Sequence, residues 1–301
     1  MELIKVRNVD KFLGGTKILD NVNINVNKGS VYGLIGPNGA GKTTVIKTLV
    51  DIYKPENGEV LIDNENISDN KKLKSKLGYI SDFQYFYPSF NVEDMIGFFK
   101  ETFPEWNEKR HIQLKKLFKL ESKKKIKHLS KGMKTQLALL LNLSIMPNIL
   151  ILDEPTSGLD PVIKRKVLNL IVDEVSVNET TVLISSHNLG ELEQICDHIG
   201  IIHEGKIVLE NSVDNLKTDV RKLQVAFRNG LPDDIKNNEN ILNIESIGKV
   251  YQIIVKDNLD IVMADIRRFH PILLETVDMS LEEIFIYKIG GEGYVFEDIA
   301  L

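Results

Sequence analysis

Nine consecutive residues, Gly36-Pro37-Asn38-Gly39-Ala40-Gly41-Lys42-Thr43-Thr44, carry the spacing GxxxxGK[ST]. Glycines at those places let a backbone curl until its amides point inward at phosphate oxygens. Lys42 then supplies a point charge to the β and γ phosphates of a bound triphosphate, and Thr43 can place a hydroxyl on Mg2+. The apolar run Val31–Ile35 precedes the loop and a helical run, residues 45–50, follows it, so phosphate would meet the positive end of a helix. A second chemical signal is Asn148-Ile149-Leu150-Ile151-Leu152-Asp153-Glu154-Pro155, an apolar strand that ends in two acids. Alone, that pair reads as a solvated turn. With a phosphate loop upstream, Asp153 can hold Mg2+ directly or through water, and Glu154 can orient or deprotonate the water that attacks the γ phosphate. The run Thr181-Val182-Leu183-Ile184-Ser185 delivers His187 to another strand end, where an imidazole can hydrogen-bond the γ phosphate or the attacking water.

Groups that must converge from separate stretches need a rigid frame, and the apolar pattern predicts one. Residues 31–35, 149–152 and 182–185 are nearly all apolar, as strands covered on both faces must be, and helix-like segments separate them. An α/β architecture with a mostly parallel central sheet follows, over about residues 1–218. Nine aromatics fall between Phe83 and Trp106 in a stretch otherwise helical in pattern, which predicts an inserted helical lobe over about residues 83–146. Beyond Lys217 the texture changes. Strands are expected at 223–227 and 251–255, a loop at 232–240 and a helix at 261–269. Ser280 with Glu283 three residues on makes a capping box for a last helix. A smaller α+β domain, residues 219–301, is expected, and no internal repeat of 20 to 50 residues is found.

Composition narrows the function classes. The 301 residues suffice for two domains with a core each, and 43% hydrophobic with 27% charged residues excludes a disordered chain. Lys plus Arg is 38 against 43 Asp plus Glu, a net charge of −5, which gives no footprint for a nucleic-acid partner. A single cysteine, Cys196, allows no internal disulfide and reads as a small buried side chain; there is no Cys/His cluster with zinc spacing. The start MELIKVRNVD lacks the apolar core of a signal peptide, so a cytoplasmic location is expected. Residues 135–152 carry no formal charge, yet Gln136, Asn142, Pro147 and Asn148 break them into a buried helix over 136–145, a turn and a strand rather than a membrane span. Lys123, Lys124, Lys125 and Lys127 form a solvated face, with anionic lipid headgroups as the alternative partner.

The order of motifs is phosphate loop, Leu129-Ser130-Lys131-Gly132-Met133, ILILDEP, Ser157-Gly158-Leu159-Asp160, then His187. It resembles that of ATP-binding cassette (ABC) ATPases over about residues 1–216. The resemblance implies a P-loop NTPase cassette with an antiparallel β subdomain and a helical lobe beside the central sheet, binding ATP and Mg2+ and hydrolysing ATP. It makes Glu154 the catalytic base and His187 the switch histidine, assigns Thr43 and Asp153 to Mg2+, and puts Ser130 and Gly132 in the signature motif. That signature precedes a helix, so its amides form a second anion site. In this family the second site serves another cassette, two ATPs being sandwiched head to tail between a homo- or heterodimeric pair. Two departures stand out. The usual LSGGQ is LSKGM, through Lys131 and Met133, and Asp82 stands where a metal-contacting glutamine is usual, with Gln84 two residues on; a carboxylate can still hold Mg2+ through water. The adenine-stacking aromatic should fall near Leu13, for which Phe12 can substitute.

A single cassette without spans resembles the ATPase subunit of a transporter whose permease is a separate chain, peripheral at the inner face of the cell membrane. LSKGM, the tail Ser280 to Tyr287 and Gly293-Tyr294 resemble ATPases of ABC-2-type exporters of the antibiotic and multidrug branch. Tyr85, Phe86, Tyr87 and Phe90 lie where this family docks its permease; they form either a cleft for a cytoplasmic helix or the lobe's own core. Two rival readings are a soluble ABC ATPase that never transports and a regulatory, hydrolysis-poor cassette in a heterodimer. Translation factors of the first kind usually carry two cassettes in one chain, and repair ATPases carry long coiled coils, features this sequence lacks.

Overall fold

Alternation of Ile4, Val6 and Val9 with polar neighbours, and of Leu19, Val22, Ile24 and Val26, buries one face of the first two strands, β1 (Glu2–Leu13) and β2 (Thr16–Asn27). The computed structural model, which describes residues 1–256 and 258–289, pairs them antiparallel and adds β4 (Asn57–Ile62) and β5 (Glu65–Asn66) in the order β2-β1-β4-β5. The central sheet is built from β3 (Val31–Ile35), β6 (Leu77–Ile80), β7 (Ile149–Asp153), β8 (Thr181–Ser186), β9 (His198–His203) and β10 (Lys206–Ser212), in the order β10-β9-β3-β8-β7-β6. Pairing is parallel from β9 through β3, β8 and β7 to β6. Every residue of β3, β7 and β8 is buried, as strands covered on both faces require.

Register brings the strand ends level. Ser185 of β8 lies opposite both Leu34 of β3 and Asp153 of β7, and Ile80 of β6 lies opposite Leu152. The connecting helices are α1 (Lys42–Leu49), the short α2 (Lys71–Lys74), α3 (Val92–Thr102), α4 (Glu108–Phe118), α5 (Lys131–Ser144) and the 18-residue α6 (Pro161–Asn178). The helical lobe is α3 to α5; residues 83–91 ahead of it are loop, so most of the exposed aromatics lie outside helices. The helix expected from residue 136 begins five residues earlier. Ser130 accepts the Met133 N–H at 3.2 Å and caps a polar first turn that the apolar pattern does not mark. Residues 135–152 form the rest of α5, a turn and β7, and no helix among the described residues is long and apolar enough to cross a membrane.

The chain divides into two compact units, residues 1–187 with 195–210, and residues 188–194 with 211 onward. The second unit therefore takes in residues 211–218, ahead of the expected boundary at 219, and a short segment that holds α7 (Leu189–Leu192). It continues through α8 (Val213–Asp219), β11 (Arg221–Ala226), α9 (Asp233–Lys236), β12 (Ile241–Ile247), β13 (Val250–Val255), α10 (Leu259–Arg268), β14 (Leu273–Val277) and α11 (Leu281–Ile289). Its antiparallel sheet, β12-β13-β11-β14, shares a core of Leu223, Val225, Ile253 and Val255 with Val262 and Ile266 of α10. The expected loop over 232–240 contains α9, because Pro232 stands at the cap and Asp233 and Asp234 fill the first turn, favourable charges at a helix start. At α11 both halves of the capping box form: Glu283 N–H donates to Ser280 Oγ at 3.2 Å and Ser280 N–H to Glu283 Oε2 at 3.0 Å. Gly293 and Tyr294 lie outside the described residues.

The sheet's interior is the part least able to relax. Ile151, fully buried in β7 between Tyr79 and Leu183, should cost about 2–5 kcal/mol on replacement by Ala. Urea unfolding followed by circular dichroism measures it, and a loss under about 1 kcal/mol would show that this row is loosely packed.

Candidate active site

The loop that leaves β3 is shaped by what lies beneath it. A Cβ on Gly36 would stand 2.3 Å from the Ile202 carbonyl oxygen, so only glycine lets the chain turn against β9 there. Gly41, at φ 111°, occupies left-handed backbone ahead of α1, where an L side chain is strained. Between them Ala40 N–H donates to the Pro37 carbonyl at 3.2 Å, leaving Asn38 and Gly39 exposed at the tip. Lys42 and Thr44 are buried while Thr43 is exposed at the mouth of the loop. The Lys42 ammonium folds back, donating to the carbonyls of Gly36 at 2.7 Å and Pro37 at 3.1 Å, and stands 3.3 Å from Glu154 Oε1.

The acids expected at the end of β7 are there, and a residue with no role assigned from sequence joins them. Ser185 Oγ donates to Asp153 Oδ1 at 2.7 Å and accepts the Glu154 N–H at 3.0 Å, fixing both acids to the neighbouring strand. Glu154 sits at φ 49°, a left-handed conformation uncommon outside glycine, which turns its side chain off the strand's line. Its Oε2 lies 2.9 Å from His187 Nδ1, so Glu154 stands between Lys42 and His187. Asp153 is 1% exposed, and burial holds its carboxyl above the ordinary carboxylate range. The hydrogen bond from Ser185 and the nearby Thr43 hydroxyl pull the other way, and the charges of Glu154 and Asp82 add to the rise. Its Oδ2 is buried with no hydrogen-bond partner.

Of the remaining expected residues, Asp82 lies close enough to this centre for its charge to act on Asp153, and the others make their contacts elsewhere. Asp82 is bound by Lys131 Nζ at 2.6 Å, a contact across 49 residues that no sequence pattern announces. Gln84 turns its amide back to the Ser81 carbonyl. Ser130 and Gly132 form the first turn of α5, and a Cβ on Gly132 would come within 2.9 Å of Leu159 Cδ2, so this turn packs on the loop after β7. Asp160 of that loop has a structural duty, capping α6 by accepting the N–H groups of Val162 and Ile163. Phe12 lies exposed on β1 with the Lys17 ammonium 6.0 Å from its ring centroid. Farther along the same hairpin, a Cβ on Gly41 would stand 3.0 Å from Leu19 Cδ2 and 3.4 Å from the Ile18 carbonyl oxygen, so β2 packs against the phosphate loop.

The chain is similar to known proteins along most of its length. A family profile described as ABC transporter matches residues 19–157. The ABC transporter ATP-binding protein YtrB of Bacillus subtilis (strain 168) is 30% identical over 290 residues, covering 96% of this chain and 99% of that protein. The chain belongs to the ABC transporter family. The bacitracin transport ATP-binding protein BcrA of Bacillus licheniformis is 33% identical to the cassette over 315 residues, 96% of this chain and 98% of that one. Among solved structures, the dimeric structure of the bacterial ABC transporter cassette MJ0796 matches with a TM-score of 0.62 at 25% identity, covering 70% of this chain and 99% of that one. The protein is an ATP-binding, ATP-hydrolysing subunit of the ABC type.

The cassette's centre also fits a divalent cation. The unpartnered, buried Asp153 Oδ2 beside the Thr43 hydroxyl is an oxygen pair of the kind hard cations take.

Burial of Asp153 carries a stability cost with a definite pH dependence. The folded chain binds this proton more tightly than the unfolded chain, so ionisation as pH rises past 3.8 and through the higher folded value removes stability. Asp153→Asn should therefore raise the unfolding temperature of nucleotide-free protein at pH 7, by about 2–4 °C per kcal/mol relieved, while turnover is lost. The gain should shrink as the pH is lowered toward 4. A variant no more stable than the parent at pH 7, in a thermal scan, overturns this account.

Proposed function

We propose that the cassette is the ATPase of an exporter of the antibiotic and multidrug branch, closing with a second cassette around ATP and driving a separate membrane permease. The observation that carries the mechanism is Glu154 held between Lys42 and His187, one residue beyond the buried Asp153. In the phosphate loop, residues 36 to 44 wrap the triphosphate with backbone amides, and Lys42 leaves the Gly36 and Pro37 carbonyls for the β and γ phosphates. Thr43 and Asp153 would hold Mg2+, with Asp82 available through water, and the ion would draw charge from the phosphate oxygens.

Once Lys42 turns to phosphate, Glu154 Oε1 is free to accept a hydrogen bond from water. The water oxygen bonds to the γ phosphorus as the bond to the β–γ bridging oxygen breaks, and Glu154 takes the water's proton while ADP leaves with the bridging electron pair. His187 keeps Glu154 oriented and senses the γ phosphate from the end of β8. Phe12 offers a face to adenine. The turn at Ser130 and Gly132 presents α5's positive end to the nucleotide of the second cassette, and loss of the γ phosphate releases the pair.

Docking on the permease is supported by a cleft of about 590 Å3 lined by Tyr79, Tyr85, Phe86, Tyr87, Phe98 and Phe99. Tyr85 is 92% exposed and Tyr87 and Phe98 are also exposed, so these rings are not a closed core. Such a groove fits an amphipathic helix. It holds the cassette at the inner face of the membrane.

Glu154→Gln tests the chemistry. ATP turnover should fall about 10²–10⁴-fold or more, while ATP binding persists and sedimentation shows an ATP-stabilised dimer. Unchanged turnover would remove Glu154 from its role. Co-purification in detergent should bring a membrane protein with the parent chain and less of it with Tyr85→Asp; equal recovery would take the cleft out of the docking surface.

A further inference from the structure

Two of the positions at which the cassette departs from its family's usual motifs, Lys131 and Asp82, touch each other. Lys131, the first residue of α5, places its ammonium 2.6 Å from Asp82 Oδ1 and 3.2 Å from Ser157 Oγ, 5.3 Å from the Phe83 ring centroid. Asp82 lies two residues beyond β6 and Ser157 in the loop after β7, so one cation joins three segments at the carboxyl end of the sheet. Both partners are half-open to solvent, 42% exposed for Lys131 and 29% for Asp82, a setting in which an ion pair is readily displaced by a competing charge.

We propose that Lys131 and Asp82 form an exchangeable ion pair that couples metal retention to cassette closure. This rests on the reading of the chain as a cassette that closes on another around ATP. With the pair made, Asp82 is withheld from the Asp153 side and the Lys131 cation is spent inside its own chain. With the pair open, Asp82 takes its share of Mg2+ through water, and Lys131 adds a positive charge to the anion-binding turn formed by Ser130 and Gly132. Asp82 then has a cation in either arrangement. A glycine in place of Lys131 could not do this, because it has no charge to exchange.

The pair makes an unusual demand on mutants: two readouts move in opposite directions. The full-length chain is used, with Mg2+ titrated against binding of a fluorescent ATP analogue, and with the ATP-dependent monomer–dimer constant measured by sedimentation. Lys131→Met removes the competitor for Asp82, so half-saturation should come at about threefold lower Mg2+. Dimerisation should weaken about tenfold, since a lysine charge worth about threefold is lost at each of two sites. Asp82→Asn should do the reverse, needing about threefold more Mg2+ while dimerising about tenfold more tightly. Lys131→Arg, which keeps the charge, should stay within about twofold of the parent in both. Readouts that worsen together in either charge-removing variant, or that do not move, overturn the exchange and leave a structural contact. A parent chain that neither binds the analogue nor dimerises overturns the function on which the inference rests.

Discussion

Negative charge gathered at one end of a sheet is the condition the rest of this structure answers. Asp153 and Glu154 are adjacent, Asp82 is close enough for its charge to oppose ionisation at Asp153, and the loop facing them is built to receive a triphosphate. Like charges a few ångströms apart in a partly buried site repel strongly. Each carboxylate is therefore matched: Asp153 by the Ser185 hydroxyl, Glu154 by Lys42 and His187, Asp82 by Lys131. In the proposed mechanism the phosphate-loop lysine serves two anions in turn, and its handover from Glu154 to phosphate would leave the base free for water.

Parallel pairing supplies the precision. Because β3, β8 and β7 run the same way with their ends level, the loops that follow them emerge side by side, and Ser185 can reach Asp153 and the Glu154 N–H together. All residues of these strands are buried, so the platform resists the movements that binding and release impose on the loops. Gly36 sits where β9 leaves no room for a side chain, which fixes the height of the phosphate loop above the sheet.

What sequence made legible was whatever is local. The phosphate loop, the strand that ends in Asp153 and Glu154, and the strand that delivers His187 are contiguous patterns whose chemistry is set by neighbours along the chain. The order of those patterns named the family. Contacts between distant residues stayed hidden. Ser185 looked like the last residue of a strand, and its tie to two acids depends on register 32 residues away. Lys131 and Asp82 registered only as two separate departures, since nothing in either segment states that they meet. The first turn of α5 was missed because Lys131, Gly132 and Lys134 lack an apolar face, and its cap rather than its periodicity starts the helix. The antiparallel strands β1 and β2 were not read from pattern because register shifts near Asn8, itself at φ 50°, interrupt their alternation.

Burial separates the polar contacts that hold this cassette from those proposed to work it. Arg110 of α4 binds Glu174 of α6, which is 1% exposed and also accepts from Asn178 at 2.8 Å. Removing one member of such a pair strands a buried charge, at a cost of about 3–5 kcal/mol, so this contact is a fixed joint between helical lobe and sheet layer. The pairs at the sheet's end are different in kind. Asp82 with Lys131 and Glu154 with His187 each include a side chain about two-fifths exposed, and Glu154 also has Lys42 within reach. Water stands ready to replace either partner there, which keeps the energy of separation small. A nucleotide machine needs both kinds: a joint too costly to break carries motion between segments, and contacts cheap to break decide when the motion occurs.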